Sequence, residues 1–193
     1  MGLINIYEDK LKNTIGNKRY NHSLGVMKTA IKLAKKYNVD KKKAAIAGLL
    51  HDCAKYKDIQ LLLKRACEFG IILDNTMKKS PSLIHGPLGA EVANKEYNVK
   101  DKEILDAIRF HTTGRENMTI LEKIVYISDY IEPNRKFNGI ENIRYIAYRD
   151  LEQALILSMN NTIKYIIDRD LLIHMNTIKA RNSLINENKQ EGN

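Results

Sequence analysis

Four of the five histidines in this 193-residue chain fall at the ends or on the apolar faces of segments with helical periodicity: His22, His51, His85 and His111. Asp52 adjoins one of them, and Asp129 lies on an otherwise apolar helical face. An apolar face accepts a polar group only at a cost of kilocalories unless that group finds a partner. One metal ion would partner all six. Neutral imidazoles and carboxylates suit iron, manganese or zinc, and a few protein ligands plus water leave positions open for catalysis. Each piece alone is ordinary: a lone His on an apolar helix is most often a hydrogen-bonded core residue, and His-Asp pairs arise by chance. The series is what signals a site, with His51-Asp52 29 residues after His22, then His85 after 34, His111 after 26 and Asp129 after 18.

The elements that must position these groups read as helices. A first helix spans roughly 18–37 and presents His22, Val26, Ala30, Leu33 and Ala34 on one face. A second begins after Asp40, a good N-cap, and carries Ala44, Ala47, Gly48 and His51, small residues that admit a neighbouring helix. A third runs 58–69 and closes at Gly70, and 71–81 reads as a loop. Pro87 sits in the first turn of a helix from 85 or 86 to 96. Asp101 caps a helix whose face includes Ile104, Ile108 and His111 and which ends at Thr112-Thr113-Gly114. Thr119 and Glu122 form a capping box for the helix that bears Asp129 and stops before Pro133. A long helical region follows from 140, interrupted near 168–170. The reading is an all-α, single-domain bundle over 1–193, with its core about 14–184 and a frayed, disordered tail at 186–193.

Composition agrees: 44% hydrophobic residues with few glycines and prolines suit a helical globule. No apolar run approaches the roughly 20 residues of a membrane span, and no secretory leader is visible, which points to the cytoplasm. Cys53 and Cys67 fit a reduced compartment better than a disulfide framework. Cys53 reads as a small buried thiol and His174 as a packing residue. A net charge of +9 favours anionic partners, although Lys-rich faces are commonly just solvated. There is no Arg/Gly-rich tail, no aromatic stacking platform and no Gly-rich phosphate loop. Nucleic acid is therefore not the expected partner. Base recognition is unassigned, with the Tyr130 neighbourhood or the C-terminal helices as candidates.

The ordered strings R-Y-N-H-S-L-G-V (19–26), G-L-L-H-D-C-A-K (48–55), I-H-G-P-L-G-A (84–90), A-I-R-F-H-T-T-G (107–114) and I-V-Y-I-S-D-Y-I-E-P-N-R (124–135) resemble the HD-domain metal-dependent phosphohydrolases. Within them they are similar to the YqeK-like branch of symmetrical bis(5'-nucleosyl)-tetraphosphatases. The resemblance implies a helical HD-domain bundle that cleaves diadenosine tetraphosphate to two ADP, iron as the metal with manganese or another divalent ion as substitute, and a homodimer. It implies His22, His51, Asp52 and Asp129 as ligands of the primary metal. His85 and His111 then line the phosphate site, with a second metal or a bridging water between them.

The residues themselves add roles. Asp52 would orient the attacking water or accept its proton. His85 and His111 would bind phosphate oxygens or protonate the leaving group, given pKa values near neutrality. Lys55, Thr112, Arg135 and the ligand Asp129 would contact substrate: Lys55 as a point charge, Arg135 with a two-pronged grip. Two other readings stand beside this one. A nucleotide phosphatase or phosphodiesterase would use the same site, and a non-catalytic nucleotide- or RNA-binding module would keep the fold and lose the chemistry.

Overall fold

The first helix is broken where a glycine permits it. In the computed structural model, which describes the backbone of residues 2–191 and the side chains of residues 4–187, α1 (Gly2–Lys36) turns at Gly16, whose φ of 76° and ψ of 163° leave the helical region. A side chain there would be strained; glycine is not. Helical packing thus begins earlier than the expected start near residue 14. Tyr7, Leu11 and Ile15 are buried in the core, on a segment whose Lys- and Asn-rich surroundings dilute the apolar period. After the break, Val26, Ala30, Leu33 and Ala34 form the buried stripe that the sequence shows.

Aspartates open most of the following helices. Asp40 accepts the Lys42 and Lys43 N–H groups at the head of α2 (Lys41–Leu50). Asp58 does the same for α3 (Ile59–Glu68), and Gly70 at φ 67° terminates it. The stretch 71–81, expected to be a loop, contains α4 (Asn75–Lys79), capped by Asp74, and leads into a 3-10 turn, Pro81–Ile84. Five residues are too few to show a helical period, and only the cap marks them. Next come α5 (His85–Glu96), α6 (Lys102–Phe110) capped by Asp101, and α7 (Ile120–Ile131) with the Thr119/Glu122 capping box formed in both directions.

The C-terminal region is more divided than its pattern suggests. A turn at 148–150 separates α8 (Ile140–Ala147) from α9 (Leu151–Ile167), and Asp150 caps the second. The interruption near 168–170 is present, and α10 (Met175–Glu191) follows. The stretch 186–191, expected to fray, continues this helix. Glu187 pins it by pairing with Lys123 at 3.0 Å, one turn beyond the buried Leu184. Residues 192–193 of the expected tail lie outside the described residues.

Among the described residues the fold is all helical. α1 lies along α2 and α7, α6 contacts α2, α5 and α7, and α9 packs against α7, α8 and α10. α1 and α2 approach closely because Gly48 faces the Met27 backbone, where a Cβ would stand 3.0 Å from the Met27 Cα. This layering brings the inner face of α1, the ends of α2 and α6, the start of α5 and the end of α7 to one point.

Candidate metal centre

His51 and His111 each follow the last residue of a helix, and His85 follows the 3-10 turn. All three use one local device. The final carbonyls of a helix lack intrahelical donors, and the imidazole Nδ1–H, three residues on, donates to one of them. His51 donates to the Gly48 carbonyl at 2.8 Å, His111 to that of Ile108 at 2.7 Å, and His85 to that of Ser82. With Nδ1 protonated, each Nε2 carries its lone pair inward. His22 sits within α1 and reaches the same arrangement differently, with Nδ1 3.1 Å from Glu132 Oε1.

The four Nε2 atoms converge. That of His51 is 3.3 Å from that of His22, and that of His85 is 3.0 Å from that of His111. Asp52 lies between the two pairs. Its Oδ2 is 3.4 Å from His51 Nε2 and 3.8 Å from His22 Nε2, while its Oδ1 is 3.2 Å from His85 Nε2 and 3.6 Å from His111 Nε2. Asp129 Oδ1 stands 2.9 Å from His22 Nε2 and 3.8 Å from His51 Nε2. Facing lone pairs at such distances repel unless a cation or a proton lies among them. The donor set fits a divalent metal: neutral imidazoles, carboxylates, and a hydrogen-bonded back side on every ring. Two overlapping groups have the spacing to hold an ion, His22–His51–Asp129 and His51–Asp52–His111.

The site is buried, and its electrostatics follow. Burial alone would raise the Asp52 carboxyl, but His51, His111 and His85 outweigh it and hold it well below the usual carboxylate range. Burial alone would lower His51, and Asp52 and Asp129 outweigh that and raise it. Asp129 would also rise on burial, and His22, His51 and Arg135 hold it low instead. Burial, aided by the neighbouring Lys55 and His111, pushes His85 down to about 4. His85 is therefore unprotonated at neutral pH. That suits a ligand or an acceptor at His85.

The remaining sequence candidates fall at the rim. Lys55 Nζ lies 3.0 Å from His85 Nε2, and burial lowers its ammonium below the ordinary value. Thr112 Oγ1 touches both His85 Nε2 at 3.1 Å and His111 Nε2 at 3.0 Å. Arg135 donates to Asp129 Oδ1 at 2.7 Å through Nη2 and to the Asp129 carbonyl at 3.1 Å through Nε. Cys53 is buried and donates to the Gly89 carbonyl, away from the centre. His174 is buried and donates from Nε2 to Asp74 Oδ2 at 2.8 Å, tying the start of α10 to α4.

Comparison with known proteins places this geometry. The HD domain family profile matches residues 19–134, a span that includes His22, His51, Asp52, His85, His111 and Asp129. The chain belongs to the HD domain family. The chain is 41% identical over 178 residues to the symmetrical bis(5'-nucleosyl)-tetraphosphatase of Bacillus subtilis (strain 168), covering 91% of this chain and 94% of that protein. It is 39% identical over 175 residues to the enzyme of the same name from Staphylococcus aureus (strain NCTC 8325 / PS 47), covering 89% of each. A crystal structure from Clostridium acetobutylicum, described as a predicted HD superfamily hydrolase involved in NAD metabolism, superposes with a TM-score of 0.91 at 48% identity, covering 95% of this chain and 97% of that one.

Three residues of this HD domain escaped the sequence reading. Arg19 Nη1 donates to Asp52 Oδ2 at 2.7 Å; its place three residues before His22, on the same side of α1, was the available signal. Glu132 reads in sequence only as the end of a helix before Pro133, yet it is buried and holds His22. Asn134 holds Glu132 in turn, through its backbone N–H at 2.8 Å and its side-chain amide at 3.0 Å.

Proposed function

We propose that this chain is a symmetrical bis(5'-nucleosyl)-tetraphosphatase, hydrolysing diadenosine tetraphosphate to two molecules of ADP. The observation that carries the reading is the convergence of four imidazole Nε2 atoms and two carboxylates at the inner end of a cationic cleft. The two relatives that bear this name, each matched over about nine-tenths of its length, support the choice of substrate.

His22, His51, Asp52 and Asp129 would hold the primary ion. Asp52 turns one oxygen to His22 and His51 and the other to His85 and His111. This supports a second ion on His85 and His111. A divalent ion there supplies Lewis acidity, making water acidic enough to attack near neutral pH and taking up charge that develops on the phosphoryl group. The oxygen of water bonds to one of the two inner phosphorus atoms, the bond from that phosphorus to the central bridging oxygen breaks, and the bridging oxygen leaves with the other ADP. Asp52, ionised and buried, orients the water. Thr112 donates to a phosphate oxygen. Lys55 and Arg135 neutralise the leaving ADP, an anion stable enough to depart without a proton from His85. Iron as the resident metal, manganese as a substitute, a homodimer and a cytoplasmic location belong to the same reading. The described residues contain no helix long and apolar enough to cross a membrane.

The test is Asp52→Ala protein alongside wild type, both purified anaerobically and assayed for bound metal and for products from diadenosine tetraphosphate. Wild type is expected to release ADP alone, and the variant to lose both metal and turnover while keeping its helical circular dichroism. Turnover by the variant would sink the mechanism. Release of inorganic phosphate would move the assignment to a phosphatase.

A further inference from the structure

The metal centre opens on the His22 side into a cleft of about 690 Å3, within the roughly 300–1,000 Å3 of small-molecule sites. His22, Lys55 and Arg135 form its inner end and belong to the site already described. The lining continues to Lys18, one turn before His22 on α1, and to Lys57, two residues beyond Lys55. Arg19 joins them. Arg19 and Arg135 each commit donors to Asp52 or Asp129, but their side chains are 38% and 42% exposed, so part of each guanidinium stays open to the cleft. Against these five cations, Glu132 is the one carboxylate among the described lining residues, and His22 and Asn134 already engage it.

The break at Gly16 adds to this field. The helix restarts at Asn17, so its first turn, with the positive end of its dipole, lines the cleft. The lining also has a second chemistry. Tyr56 and Ile15 give an apolar wall, and the amides of Asn17 and Asn21 offer donors and acceptors. Phosphate chemistry next to a flat apolar surface with polar edges is what a nucleotide requires.

Symmetrical hydrolysis puts a nucleoside diphosphate on each side of the scissile bond. The cleft lies on one side only, since His85, His111 and Thr112 are not part of its lining. Building on the hydrolase reading above, we propose that this cleft seats one nucleoside diphosphate half of the substrate, its phosphates on Lys18, Arg19 and Lys57 and its base against Tyr56. The other half lies outside it. The division makes Lys18, Lys57 and Tyr56 determinants of specificity for a substrate with a nucleoside at both ends.

The test is the Lys18→Ala/Lys57→Ala protein. Both lysines are exposed, and circular dichroism and a thermal melt check the fold. Calorimetry with diadenosine tetraphosphate in excess chelator, where turnover is absent, gives Kd directly; the metal-loaded protein gives KM and kcat. Loss of two charge-assisted contacts predicts a rise of roughly 10–100-fold in both Kd and KM, with kcat little changed. Tyr56→Ala is expected to weaken ADP binding several-fold more than binding of inorganic pyrophosphate. A Kd within twofold of wild type in the double variant overturns the cleft assignment. ADP production with an unchanged KM overturns it too, while leaving the hydrolase reading intact. Weakened Kd in a protein that makes no ADP with any metal supports the cleft as a nucleotide site and removes the hydrolase reading.

Discussion

Replacing Gly25 by Ala should disable the metal centre without touching a ligand. Gly25 lies on α1, three residues after His22, and a Cβ there would stand 2.3 Å from Glu132 Oε2 and 3.2 Å from Glu132 Cδ. A carbon and an oxygen in contact need roughly 3.3 Å or more, so the carboxylate must move by about 1 Å. It has little freedom to do so. Glu132 is buried, its side chain accepts both Asn134 donors, and its backbone carbonyl accepts from Arg144 at 2.8 Å. Moving the carboxylate displaces Oε1 together with Oε2, and with it the 3.1 Å contact to His22 Nδ1. His22 then loses the partner that fixes its tautomer and ring orientation. Loss of such a partner typically lowers metal affinity by about 10–100-fold, or roughly 1.4–2.8 kcal/mol.

The assay is a metal titration in competition with a chromophoric chelator, with a thermal melt of the metal-free protein beside it. The decisive comparison is a double-mutant cycle. Glu132→Asp shortens the carboxylate by one methylene and withdraws it from the new methyl group, so Gly25→Ala should do little further harm on that background. Metal affinity of Gly25→Ala within twofold of wild type would refute the reasoning. So would equal losses when Gly25→Ala is introduced into wild type and into the Glu132→Asp protein.

Two further outcomes follow from contacts at the rim and beyond it. Arg135→Ala should raise KM about tenfold, the value of a charge-assisted contact, and Arg135→Lys should recover only part of it because an ammonium lacks the fork; steady-state kinetics decide, and full recovery by Lys counts against a two-pronged grip. Asp74 caps α4 at the Met77 N–H, and that bond, with the His174 contact, outweighs burial and holds its carboxyl below the ordinary 3.8. A depressed carboxylate contributes stability above its unfolded value and loses it as pH falls through the folded one. The urea midpoint of wild type should therefore drop more steeply than that of Asp74→Asn as pH falls below about 4; parallel profiles would show that the cap carries no linked proton.

The fold was legible wherever a helix carried its own start signal. Asp40, Asp58, Asp101 and the Thr119–Glu122 pair mark helices that the structure shows at those positions. Asp74 and Asp150 carry the same signal without a period to support it, because α4 is too short to show one and the apolar pattern runs on across 148–150. The break at Gly16 depends on a positive φ that no periodicity encodes. Among the site residues, those that stand out by type, His and Asp in an apolar setting, could be read in advance. Glu132 could not, since a Glu is unremarkable near a helix end, and Arg19 offers only its place three residues before His22. Their roles arise from contacts 33 and 110 residues away in the chain.

The contrast among the four histidines explains why one of them needs a distant partner. His51, His85 and His111 follow a helical turn, where a carbonyl three residues back is available to the Nδ1–H. Each is oriented by its own segment, so the sequence that makes the helix end also makes the ligand. His22 lies within α1, where the carbonyls are engaged in the helical ladder. It must take an acceptor from elsewhere in the fold, and Glu132 at the end of α7 provides it. That solution joins the first helix of the HD domain match to its last. The His22 arm of the centre can form only after α1 and α7 dock, whereas the His51, His85 and His111 rings are aimed by local structure. The centre's dependence on tertiary packing is thus concentrated at His22, Glu132 and Gly25, and damage to the α1–α7 contact should weaken metal binding before it unfolds the helices that carry the other three rings.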